Sequence, residues 1–131
     1  MKLYRAMIPD ADGLPQLGRS ARQFGVRLLD RFPNNDVDAA SEADTLQPGK
    51  GVSVAPDDPA YLAKNRRPPQ VNGGIGKDPV WVIDTNDLGP DLFFLRDKPT
   101  HGVIGPTRLM TLAEYEFALA GVRSKWVRYI G

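Results

Sequence analysis

Thr111-Leu112-Ala113-Glu114-Tyr115-Glu116-Phe117-Ala118-Leu119-Ala120-Gly121-Val122-Arg123-Ser124-Lys125-Trp126 carries the clearest period in the chain. Leu112, Tyr115, Leu119, Val122, Trp126 and Tyr129 recur at steps of three and four, which lays them on one helical face. Thr111 and Glu114 stand at capping-box spacing, and Arg123, Lys125 and Arg128 gather toward the end where a helix dipole favours cations. The reading is a C-terminal amphipathic helix packed on a sheet. Everything before it reads as strands and turns, without regular alternation of strand and helix, so the fold class is α+β and not a doubly wound sheet.

Upstream, Val80-Trp81-Val82-Ile83 is a run of four apolar residues, the pattern of a strand buried on both faces. Leu92 to Leu95 and Gly102 to Ile104 read as two further strands around Asp97-Lys98-Pro99. Val52-Ser53-Val54-Ala55 follows the turn Pro48-Gly49-Lys50-Gly51 and stops at Pro56. Asp57-Asp58-Pro59 then starts a helical turn over Ala60 to Ala63. Leu3 to Ile8 is a first strand with Arg5 in its middle, ended by Pro9-Asp10-Ala11-Asp12-Gly13. Between them, a short helix is expected over Pro15 to Phe24, an extended piece over Val26 to Leu29, and a solvated acidic loop or short surface helix over Asn34 to Asp44.

The 131 residues correspond to a single domain, residues 1–131. Seventeen Lys and Arg balance sixteen Asp and Glu, a net charge of +1 that points neither to nucleic acid nor to an anionic membrane. With no cysteine and one histidine, the chain has no material for disulfide scaffolds, zinc fingers, thiol nucleophiles or His-pair metal sites. Twelve Pro and thirteen Gly indicate a turn-rich domain of short elements. The first residues lack the apolar stretch of a secretory signal and no run is long enough to span a membrane, so the expectation is a protein that is cytoplasmic as made.

Several patterns touch on chemistry. Gly76-Lys77 after a glycine cluster resembles a phosphate loop, but Val71 stands where that motif needs Gly, Asp78 where it needs Ser or Thr, and a strand follows instead of a helix. Gly51-Val52-Ser53-Val54-Ala55 falls one residue short of a nucleophile elbow, with His101 available to a triad, yet Pro56 forbids the helix that the elbow requires. Arg5, flanked by Tyr4 and Ala6 in an apolar strand, must reach solvent, an acid or an anionic ligand. Glu114 and Glu116 form an E-x-E pair, but the helical period puts both on the flanks of a helix as solvated carboxylates. His101, at the entry to a strand, either titrates near neutrality or donates to a carbonyl.

The order of these pieces, L-Y-R-A from Leu3, G-V-S-V from Gly51, T-H-G-V-I-G-P from Thr100 and a closing helix ending in Lys125-Trp126, resembles the quiescence-inducing type VI secretion effectors of the ADP-ribosyltransferase-like toxin family. The resemblance implies a core of two small packed β-sheets with an NAD cleft between them. It implies that Arg5 holds the phosphate or ribose of NAD, that Ser53 shapes the nicotinamide pocket, and that His101 precedes the later strand as a site residue. Arg66, Lys77 and Trp81 are further candidates for lining the cleft. It also implies an antibacterial toxin restrained by an immunity protein, delivered without a cleavable signal, and acting on a macromolecular acceptor in the target cytoplasm. The late-strand glutamate of better-known transferases has no counterpart here, which keeps NAD glycohydrolysis and non-enzymatic protein interaction open beside ADP-ribosyl transfer.

Overall fold

The computed structural model describes residues 1–130, and their order is β1 (Lys2–Ala6), β2 (Thr45–Leu46), β3 (Val52–Pro56), β4 (Val80–Asp84), β5 (Leu92–Lys98), β6 (His101–Pro106), β7 (Met110–Thr111), α1 (Leu112–Val122) and β8 (Val127–Arg128). Six strands pair side by side in the order β5-β6-β3-β1-β4-β8, all antiparallel, and β2 pairs with β7 as a small second sheet. The protein is therefore α+β, with one α-helix at its C-terminal end. No helix among the described residues is long and apolar enough to cross a membrane.

Alternation along β1 and β3 sends side chains to opposite faces of the sheet. Leu3, Val52, Val54, Trp81 and Ile83 join the main core with Tyr115, Leu119 and Trp126. Tyr4, Ala55 and Val80 form a smaller cluster with Leu62, Val82 and Tyr129. The ladder between β1 and β3 is short: Leu3 pairs with Pro56 and Tyr4 with Ala55, and no further pair joins the two strands. On its other side β1 stays in register with β4 along its whole length, Arg5 lying opposite Trp81. The sheet thus loses its backbone ladder at Arg5, next to Ser53.

The capping box is present, Thr111 accepting from the Glu114 amide while the Glu114 carboxylate accepts from the Thr111 amide. Leu112, Tyr115 and Leu119 are the buried face of α1. Its outer face carries Phe117, 82% exposed. The Tyr115 hydroxyl donates to the Ile104 carbonyl at 2.5 Å and accepts from the Val52 amide at 3.1 Å, which fixes the helix over the joint between β3 and β6.

Four expectations need correction. The helix ends at Val122; a 3-10 turn over Arg123–Lys125 follows, and Trp126 is buried from outside the helix before β8 pairs with β4. No helix forms over 15–24; that segment crosses the sheet irregularly, with Ile8 donating to the Arg22 carbonyl, Gln16 to Ile8 and Phe24 to Gln16. No strand forms over 26–29, where the chain runs into a 3-10 turn at Leu29–Arg31. The 34–44 segment is a loop, but Val37 and Ala39 are fully buried, so it is anchored in the core instead of solvated throughout.

Candidate functional site

Where β1 and β3 part, a cleft of about 320 Å³ opens, with Arg5, Ser53, Arg66 and His101 among its walls. Four of the six residues singled out from the sequence therefore come together. Arg5 comes from the middle of β1, Ser53 from β3 and His101 from the first position of β6. Arg66 follows the 3-10 turn at Pro59–Tyr61, whose start is capped by Asp58 accepting from the Ala60 amide.

Arg5 is 7% exposed and spends its fork on backbone carbonyls. Its Nε and Nη2 donate to Gln23 at 3.2 and 2.7 Å, Nη2 also to Ala21 at 3.3 Å, and Nη1 to Ser53 at 2.8 Å. The last bond crosses the gap that the β1–β3 ladder leaves open. Arg66 Nη2 donates to the same Ala21 carbonyl and to Ala6, so two guanidinium groups hold one loop against the sheet. A guanidinium carries five N–H donors, which leaves both arginines with donors beyond these bonds.

No carboxylate of the described residues forms an ion pair with Arg5. Burial lowers its pKa to about 10, opposed by the charge of Asp36 and reinforced by Arg66 and Arg27. Burial also lowers Arg66, whose contact with Asp78 at 3.9 Å partly offsets it. Asp78 is itself held by both prongs of Arg22, at 2.8 Å each. On the opposite wall Arg27 grips Asp36 through Nε and Nη2 at 3.1 Å, and the Arg27 amide donates to the same carboxylate at 2.7 Å. Among the described residues, three guanidinium groups thus line the cleft against the single carboxylate of Asp36. Such an excess suits an anionic ligand, because a desolvated cation without a counter-charge is stabilised by one.

His101 stands with Thr100 at the lip, its Nδ1 2.7 Å from Asp97 Oδ1. Asn65 and the ring of Tyr61 complete the polar rim.

Two sequence candidates fall elsewhere. Trp81 is 1% exposed in the core, donating from Nε1 to the Met7 carbonyl at 2.9 Å. Its ring is covered by the Arg128 guanidinium at 4.8 Å, and it does not line the cleft. Lys77 is exposed on the surface and does not line the cleft. Conversely, Arg27, Asp36 and Thr100 line the cleft without having been singled out. Asp36 was hidden in an acidic stretch that reads as solvated loop, and nothing in its spacing to Arg27 reveals the pair. Asp97 had a signal: an acid and a histidine flank Lys98-Pro99-Thr100, four positions apart where one strand turns back into the next.

No family model, no curated protein and no solved structure matches this chain.

Proposed function

We propose that the protein is an ADP-ribosyltransferase-like toxin domain that binds NAD in the cleft between β1 and β3 and moves ADP-ribose to an acceptor. The observation that carries the reading is the buried Arg5, set without a carboxylate partner among arginines in an open cleft. Together with Arg66 it offers spare N–H donors to a diphosphate, the most strongly charged part of NAD. The parting of the sheet at Arg5 supports the same reading, since it gives a ligand access to the middle of a sheet that would otherwise be closed by its ladder. The cleft lies at the lower end of the volumes typical of ligand pockets, room for the nicotinamide nucleotide half of NAD with the adenosine half beyond the rim.

In this reading nicotinamide leaves from the anomeric carbon of its ribose and positive charge develops there. Arg5 and Arg66 clamp the diphosphate so that the sugar is held still while the bond stretches. Ser53 borders the nicotinamide, and Asp36 is the only carboxylate of the described residues on the cleft walls to offset the developing cation. On this reading the domain is restrained in its own cell by an immunity protein.

Titration calorimetry with NAD tests it. Wild type is expected to bind, Ser53→Ala to bind more weakly, and Arg66→Gln to lose on the order of tenfold or more in affinity, as befits a lost charged hydrogen bond. Thermal melts establish that each variant is folded. A folded wild type that takes up no NAD sinks the reading.

A further inference from the structure

The hairpin joining β5 to β6 is irregular at one point. Arg96 pairs with Gly102 and Lys98 with His101, which leaves Asp97 as an extra residue on β5. Such a bulge re-aims a side chain, and here the Asp97 carboxylate meets His101 Nδ1 at 2.7 Å. The neighbouring cation does not take this carboxylate, because Arg96 is committed to Asp57 at 2.9 Å and to the Pro99 carbonyl at 2.7 Å. Burial works to raise the Asp97 carboxyl, and the hydrogen bond and charge of His101 overcome it, so Asp97 is held below the usual carboxylate range. An ionised carboxylate only accepts, so the proton in the pair belongs to Nδ1, and in the neutral form of the ring the lone pair is on Nε2. His101 borders the cleft and Asp97 does not.

We propose that Asp97 and His101 form a positioned base serving the acceptor half of the reaction, with Asp97 as the positioning residue and His101 Nε2 as the group that takes the proton of an incoming hydroxyl. The proposal rests on the NAD reading and names its substrate class: an acceptor that presents a neutral O–H, a hydroxyl-bearing side chain, a sugar hydroxyl or water. The carbon–nitrogen bond to nicotinamide breaks and its electron pair leaves with neutral nicotinamide. The acceptor oxygen bonds to the same carbon, its proton passes to His101 Nε2, and solvent later removes it. An acceptor that is already an anion needs no such base. The charged groups around the ring are Asp97 and Lys98 on the hairpin, with Arg5, Arg27, Asp36 and Arg66 on the cleft walls.

His101 is the only histidine, so its ring signals need no assignment. Proton–nitrogen correlation spectra of nitrogen-15-labelled protein, recorded at alkaline pH where the ring is neutral, show which nitrogen carries the proton. The expectation is Nδ1–H in wild type and a shift toward Nε2–H in Asp97→Asn. Alongside, nicotinamide release is followed with water as the acceptor, and NAD affinity is measured on the same samples. Asp97→Asn should keep its NAD affinity while nicotinamide release falls by about a hundredfold, the range of a lost or misdirected general base. His101→Gln should fall at least as far, and the double variant no further, as expected of groups that act as a unit. An Nε2–H ring in wild type, or nicotinamide release by Asp97→Asn at the wild-type rate with NAD bound, overturns the base. A wild type that binds no NAD overturns the cleft's reading and the acceptor step together, and the ring spectrum still tells that failure apart from absence of the pair.

Discussion

Arg5 has two roles that pull an experiment in opposite directions. It borders the cleft, and it also holds the carbonyls of Ala21, Gln23 and Ser53 where a ladder is missing. Truncation to alanine leaves those acceptors to whatever water the cleft admits, so Arg5→Ala is expected to cost about 2–4 kcal/mol of stability in urea denaturation, with Arg5→Lys intermediate because an ammonium cannot reproduce the fork. Wild-type stability in Arg5→Ala would mean that the carbonyls are served by solvent and that the arginine is held for a ligand alone. Loss of NAD binding in an unfolded Arg5→Ala would say nothing about the cleft, which is why Ser53 is the cleaner position and why Arg66→Gln, which also gives up bonds to Ala6 and Ala21, is read only beside its melt. At this scale Arg5 was legible because a cation stood in an apolar strand, whereas Ser53 drew notice through a near-elbow spacing and His101 as the partner such a serine would need; the three share one cleft. Trp81 misled because an aromatic in a buried run carries no mark of which face it serves, and its ring lies in the main core.

Elements show the same division between what patterns reveal and what they hide. The start of α1 was legible because a capping box is local chemistry, two side chains and two amides within four residues. Its end was not, because Trp126 keeps the phase of the buried stripe through the 3-10 turn at Arg123–Lys125 while the backbone has already left the helix. The segment over 15–24 was unreadable for a different reason: it is held by side chains of Arg5 and Arg66 donating to its carbonyls, and hydrophobic periodicity carries no trace of such bonds. The helix is fastened at its start by the Leu112 and Ala113 amides donating to the Asp44 and Glu42 carbonyls, on its flank by Arg19 on Glu116, and over the sheet by the Tyr115 hydroxyl. Burial pushes the Tyr115 phenol well above its ordinary range, so it stays protonated and able to donate. Tyr115→Phe keeps the packing and orphans the Val52 amide and the Ile104 carbonyl, for an expected loss of about 1–3 kcal/mol. Thr111→Ala, which removes the cap alone, should cost about 1 kcal/mol. Both are read from the urea midpoint at constant slope. Equal losses would mean that the hydroxyl does no more than one cap, and that the joint between β3 and β6 is held by other contacts.

For the molecule as a whole, the carboxylates decide how it responds to acid. Hydrogen bonds hold Asp10, Asp38, Asp44, Asp78 and Glu114 below their ordinary values: backbone amides act first on Asp10, Asp44 and Glu114, Lys50 on Asp38 and Arg22 on Asp78. A carboxyl whose folded value is depressed contributes stability that is complete above its unfolded value and is lost as pH falls through the folded one. The melting temperature should therefore change little on these groups' account from pH 7 to about 5, and fall below about pH 4 as they are forced to take protons. Asp78 is the buried member, gripped by Arg22 on both oxygens and 3.9 Å from Arg66. Asp78→Asn removes one carboxylate from among two guanidinium groups, and Arg22 is half-exposed, so the cost at pH 7 is expected near 1–3 kcal/mol instead of the full penalty of a broken buried pair. The sign of the linkage makes this testable without comparing absolute stabilities. The gap between wild type and Asp78→Asn should stand at its full size at pH 7 and narrow only as pH falls below 3.8, the ordinary value beneath which the folded carboxylate titrates. A gap that stays constant down to pH 2 would show that the substitution acts through packing or geometry, and that the charge of Asp78 contributes nothing to holding Arg22 and Arg66 beside the cleft.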